Sequence, residues 1–186
     1  DVKTIYNAIE FPSKYVKESN DSFTKLITVS RLVSWKRIDE IILAIKDLES
    51  FTLDIIGEGP EEHFLKDLVK KNHLENRITF HGHLDKENVF KRMSQSDVFI
   101  LNSSYEGLPH VIVEAMSAKL PVICADVGGC SEIVLNKTTG VLLDKNTNLN
   151  KGLIYFKDTK TRNAIANSAF EFVKKEFKFI KLLKET

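Results

Sequence analysis

Short apolar and β-branched runs recur along this chain: Leu26 to Ser30, Phe51 to Ile56, Arg77 to His81, Asp97 to Leu101, Pro121 to Ala125 and Thr139 to Leu143. Each has the length of one strand. Between them the apolar positions fall at helical spacing, most plainly at Ile38, Ile41, Ile42, Ile45 and Leu48, and again at Phe64, Leu65, Leu68 and Val69. The alternation predicts an α/β fold with a mostly parallel six-stranded sheet and helices on both faces, in which ligands bind beyond the carboxyl ends of the strands. Residues 1–22, with Pro12 and mixed charges, read as an incoming connection or a first strand and loop. Residues 149–186 are helical in pattern and end KKEFKFIKLLKET. Their apolar face is expected to pack on its own domain or on a further one; a helix lying on a membrane surface is the alternative.

Composition narrows the function more than the fold. The 186 residues, 42% apolar and 28% charged, suit one domain. With 27 basic and 26 acidic residues the net charge is +1, which by itself points to neither nucleic acid nor an acidic membrane as partner. Cys124 and Cys130 supply no disulfide framework and no metal-ligand spacing, so a reduced, cytoplasmic setting is expected. No apolar run has the length of a membrane span, and the first residues lack a signal pattern. The chain starts at Asp1, which suggests a piece cut from a longer protein.

The candidate chemistry lies at the strand-to-helix junctions. EGLPHVIVEAM, Glu106 to Met116, sets two carboxylates eight positions apart around a Gly-Leu-Pro turn behind a strand. Pro109 marks a helix start whose free N–H groups attract an anion, and Glu106 and Glu114 flank it as acceptors for neutral hydroxyls. A sugar joined to a nucleotide through a diphosphate has that pattern. Arg31, Lys36 and Arg37 crowd another helix start, unfavourably for the macrodipole unless an anion lies among them. They read as a diphosphate clamp that replaces a magnesium ion, or else as an ordinary surface cluster offset by Asp39 and Glu40.

The remaining junctions are less specific. IIGEGPEE, Ile55 to Glu62, has two glycines of a dinucleotide fingerprint but Glu62 at the third position, which argues against a nicotinamide cofactor. Its glycines fit a tight turn or close approach by a ligand. His81 and His83 share a face if the chain is extended there, yet no further ligand accompanies them for a metal. Leu84 offers an apolar surface to a nucleobase, or is a core leucine. In DVGGCSEIV, Asp126 to Val134, two glycines allow a tight backbone and Ser131 is placed to cap a helix starting at Glu132. That loop reads as turn chemistry or as a ligand lining. His110 either meets the ligand or is a solvated first-turn side chain.

Together SRLVSWK, IIGEGP, RITFHGHL, EGLPHVIVEAM and DVGGCSEIV resemble, in order and spacing, the C-terminal half of the retaining GT-B glycosyltransferases of family GT4. The resemblance runs from Leu26 to Leu143. It implies a single Rossmann-like donor-binding domain over residues 1–186, with the acceptor domain absent from this chain. It further implies that Arg31 and Lys36 hold the diphosphate, Glu106 and the backbone of Gly107 and Leu108 the sugar and phosphate, Glu114 the ribose, and that Leu84 lies near the base. Glu106, Arg31 and Lys36 would be the catalytic group. The donor would be a nucleotide sugar, UDP-linked first and GDP-linked second, with no metal or other cofactor. The acceptor would be a glycan or a lipid-linked glycan, held by the missing domain at the inner face of a membrane, in polysaccharide biosynthesis. Two departures stand out: Arg37 replaces a common glycine, where it is a candidate third phosphate contact, and Cys130-Ser131 replace a common apolar-proline pair. A GT-B sugar-nucleotide epimerase and a non-catalytic nucleotide-binding module are the competing readings.

Overall fold

The computed structural model describes residues 23–144 and 148–177. The segment 1–22 and the last part of the tail, with Ile180 and Leu183, lie outside the described residues. The strands are β1 (Thr24–Val29), β2 (Phe51–Ile56), β3 (Ile78–Phe80), β4 (Val98–Leu101), β5 (Val122–Ala125) and β6 (Gly140–Leu143). The helices are α1 (Ile38–Lys46), α2 (Glu62–Lys71), α3 (Lys86–Ser94), α4 (His110–Ser117), α5 (Cys130–Ile133), α6 (Leu149–Tyr155) and α7 (Thr159–Glu176). All six strands are parallel, in the order β3-β2-β1-β4-β5-β6. This is the Rossmann-like α/β sheet expected from the sequence.

A strand buried on both faces needs apolar residues at both parities, and the central strands have them. In β4, Val98 and Ile100 enter one core with Ile41, Ile45, Leu65 and Leu153 of α1, α2 and α6. Phe99 and Leu101 enter the other core, with Phe90, Met93, Ile112 and Met116 of α3 and α4. Ala169, Val173 and Phe177, in and just after α7, close that second layer. The described part of the tail therefore packs on its own domain. Phe64 departs from the expected apolar stripe of α2 and is exposed.

The helix starts follow local chemistry. Asp85 caps α3 by accepting from the N–H of Asn88 at 2.8 Å, and Asp158 caps α7 by accepting from Thr161 N–H at 2.7 Å. Ser131 does not cap a helix: α5 starts one residue before it, at Cys130, behind Gly129. Pro109 stands just before α4, with extended backbone, and His110 is the first helical residue.

β1 and β4 are neighbours through Leu26↔Val98 and Ile27↔Phe99 although some 70 residues separate them in the chain. Successive strands run outward from this pair in opposite directions, β2 and β3 on one side and β5 and β6 on the other. The chain turns to opposite sides of the sheet at this switch point, and in such sheets the crevice by the two loops outside the carboxyl edge is where ligands bind.

Candidate functional site at the switch point

The loop after β1 holds one tight turn, Ser34–Lys36, and enters α1 through Arg37. The loop after β4 runs from Asn102 to Pro109. They meet in the crevice. Lys36 Nζ donates to Glu106 Oε1 at 2.5 Å, and the hydroxyl of Ser103 donates to the same oxygen at 2.5 Å. Both charged side chains are mostly buried, 16% exposed for Lys36 and 12% for Glu106. A charge-assisted hydrogen bond of this kind contributes about 1.5–3 kcal/mol. Ser104 N–H donates to Trp35 O at 2.7 Å, a further tie between the loops.

The turn bearing Glu106 is supported from the next loop. Gly129 N–H donates to Gly107 O at 2.8 Å. A Cβ on Gly128, whose φ is +52°, would fall 1.8 Å from Glu106 O, so only glycine fits. The glycines of DVGGCSEIV thus admit the backbone of the Glu106 turn. Those of IIGEGPEE do likewise for the β1 loop, since a Cβ on Gly57 would fall 1.9 Å from Ser30 O and one on Gly59 2.2 Å from Leu32 O. Of the two readings, turn or ligand contact, the neighbour in both loops is protein backbone.

The other expected residues are spread around this centre. Arg31 is exposed just past β1, with no ion-pair partner among the described residues. Gly107 is exposed, while Leu108 is half-buried against the second core. Glu114, on α4, has Lys86 and His110 as its charged neighbours. Burial raises the pKa of its carboxyl, and Lys86 and His110 lessen that rise. Leu84 is half-buried against the second core. His110 is exposed.

His81 and His83 do not share a face, because Gly82 turns the chain with φ +63°. His81 Nε2 lies 2.9 Å from Asp54 Oδ1, within ion-pair reach but outside hydrogen-bond alignment. His83 is exposed. Among the described residues no three His, Cys, Asp or Glu side chains are grouped to hold a metal ion. Cys124 and Cys130 are free thiols, both buried; the hydrogen bond between them pushes Cys124 up and Cys130 down.

Arg37 does not extend into the crevice as a third free cation. Its Nε donates to Asn102 O at 2.9 Å and its Nη2 to Ser103 O at 3.3 Å, and Nη1 lies 3.6 Å from Glu40 Oε1. Asn102 Nδ2 donates to Glu40 Oε2 at 2.7 Å. Sequence reasoning missed Ser103, Asn102 and Glu40 as members of the site. Ser103 left a signal, a hydroxyl three residues before Glu106 in a turn; the Glu40–Asn102 bond spans 62 positions and left none.

The family model described as Glycosyl transferases group 1 matches residues 12–172. The chain belongs to this family. The group 1 domain is 30% identical, over its whole length, to an uncharacterized glycosyltransferase of Methanocaldococcus jannaschii, 51% of which it covers. Its fold matches the crystal structure of Anabaena HepE in complex with UDP and glucose at a TM-score of 0.79 and 25% identity, over 88% of this chain and 47% of that one. It also matches the C-terminal domain of a Francisella tularensis group 1 glycosyl transferase, LpcC, at a TM-score of 0.74 and 26% identity, over 84% of this chain and 87% of that one. The group 1 domain spans about half the length of the curated relatives it matches, 51% and 52% for two of them. Among the described residues no helix is long and apolar enough to cross a membrane.

Proposed function

We propose that this chain is the donor-binding half of a retaining glycosyltransferase of the GT4 type, which moves a sugar from a nucleoside diphosphate to a glycan or lipid-linked acceptor. The observation that carries this reading is the 2.5 Å contact of Lys36 with Glu106 across the switch point of the sheet. A cation and a fixed carboxylate brought together from the loops before two helix starts suit a ligand with an anionic and a hydroxyl-rich end. On donor binding Lys36 turns from Glu106 to the diphosphate, joined by Arg31 and by the backbone N–H groups of Gly107 and Leu108. Glu106, still held by Ser103, accepts from the sugar hydroxyls. Glu114 accepts from the ribose, and Leu84 faces the base.

Charge grows on the leaving diphosphate as the glycosidic bond breaks, and cations fixed in advance stabilise that charge more than the ground state. Lys36 and Arg31 supply this without a metal ion. No side chain here is assigned as a covalent nucleophile; the departing phosphate takes the acceptor's proton on the same face, which preserves the anomeric configuration. The uridine nucleotide is the first choice, since the HepE structure holds UDP and glucose. The acceptor lies mainly against a second domain outside this chain, in a cytoplasmic enzyme that meets lipid-linked acceptors at the inner membrane face, in polysaccharide biosynthesis.

Calorimetric titration with UDP, GDP and ADP in the presence of chelator tests the reading. One nucleotide should bind with a dissociation constant between tens of micromolar and about millimolar, and Arg31→Ala and Glu114→Ala should each weaken it. No saturable binding by either this chain or the full-length protein would reject the reading. Product from the full-length protein should keep the donor's anomeric configuration by NMR; inversion would reject the retaining assignment.

A further inference from the structure

We infer that Arg37, Glu40 and Asn102 form a positioning brace that fixes the spacing of Lys36 and Glu106, on which donor binding and transfer depend. The inference rests on the donor-site reading above and adds to it three residues that do not touch the donor.

Arg37 adopts φ 46° and ψ 44°, the left-handed region that glycine enters freely and arginine does not. The conformation aims its side chain across the crevice. There the guanidinium donates to the carbonyls of Asn102 and Ser103, the first residues past β4. Both residues are almost wholly buried, Asn102 5% and Ser103 0% exposed, so their carbonyls need a donor that water cannot readily supply. Glu40, in the first turn of α1, closes the ring by accepting from Asn102 Nδ2 while facing Arg37 Nη1. The loop after β1 is thereby tied to the loop after β4 through one planar fork and one carboxylate.

The position of the ring gives it a role beyond local stability. Lys36 directly precedes Arg37, and Glu106 follows Ser103 by three residues. Of the Lys36–Glu106 pair, Lys36 therefore lies between two cross-links, the brace at Arg37 and the Ser104 N–H to Trp35 O bond at Trp35, while Glu106 follows the anchored residues Asn102, Ser103 and Ser104 in the other loop. Loss of the brace leaves the two loops joined mainly at the Trp35 end, and the pair gains freedom to drift. The donor must then order it again on binding. Arg37 acts through Lys36 and Glu106: its Nε and Nη2 are engaged with protein carbonyls and do not serve a phosphate.

Glu40→Ala in the full-length protein separates this role from direct phosphate contact, because it removes a carboxylate from the guanidinium and leaves the positive charge. A phosphate-binding Arg37 would then hold a nucleoside diphosphate as well as before or better. The brace requires the opposite: UDP affinity lower by about three- to tenfold, donor KM raised, kcat lowered, and acceptor KM unchanged. Arg37→Gly should lose a similar amount although it relieves the backbone, Arg37→Lys should recover part of it, and Arg37→Gly with Glu40→Ala should be no worse than Arg37→Gly alone. Melting curves confirm that each variant is folded when its affinity is read. Wild-type affinity in Glu40→Ala, or additive losses in the double variant, would overturn the brace alone. A wild-type protein that binds none of UDP, GDP and ADP would overturn both the brace and the donor-site reading.

Discussion

Glu114 and Glu106 are eight residues apart and were expected to flank one anion, yet their surroundings differ. Glu106 is anchored by Lys36 and Ser103, whereas Glu114 is partly buried beside Lys86 and His110. Burial raises the Glu114 pKa, so the native protein keeps that proton to higher pH than the unfolded chain does. Between those two values the native state binds more protons, and Glu114's contribution to stability falls as pH rises through the window. Ribose hydroxyls need the carboxylate as acceptor, so nucleotide affinity should rise with pH over the same window. Glu114→Gln should flatten both slopes, read as melting temperature and calorimetric affinity from about pH 4 upward. Affinity independent of pH in the wild type would remove Glu114 as the ribose acceptor. Residues of this kind were legible by type and spacing. Their partners were not, since Arg37 is an ordinary surface cation in the sequence and only tertiary contact shows where its donors go.

At the scale of elements, all six strands could be read from apolar runs, because a strand buried on both faces needs a continuous apolar segment. β2 keeps its expected bounds, Phe51–Ile56, and the others shift by a residue or two at one or both ends: β1 extends back to Thr24, whose N–H donates to Ser50 O, and ends before Ser30. α3 was less visible, with only Phe90 and Met93 buried, and its clearest mark is the cap at Asp85. Asp85→Ala should lower stability, since the start of α3 loses its cap, and should weaken nucleotide binding less than a change in the Glu106 turn. Gly128→Ala should do more. The added methyl meets Glu106 O at 1.8 Å in a left-handed backbone, so the Glu106 turn must shift. We expect at least 1–2 kcal/mol of lost stability, roughly the cost of that conformation for a residue with a side chain, together with a clear fall in UDP affinity. Denaturant midpoints and titration of the two variants side by side separate these outcomes; unchanged affinity in Gly128→Ala would mean that the glycine loop does not support the site.

The molecule as a whole depends on what no single run of sequence discloses, the order of its strands. Alternating elements imply a parallel sheet but leave open which strands adjoin, and only the β1–β4 pairing brings Lys36 to Glu106. The same pairing leaves the second core to be covered from a distance, by α7. Phe177 is 1% exposed in that core, and Phe177→Ala should cost about 3–5 kcal/mol. Chemical denaturation measures it; a loss below 1 kcal/mol would show that α7 is dispensable to the fold. Because Lys36 already neutralises Glu106, the longer-range pull on an approaching anion falls to the exposed Arg31, and added salt screens that cation far more than it weakens the mostly buried pair. Salt should therefore slow a nucleotide's approach more than it loosens its hold, since the hold rests on an exchange of partners at short range.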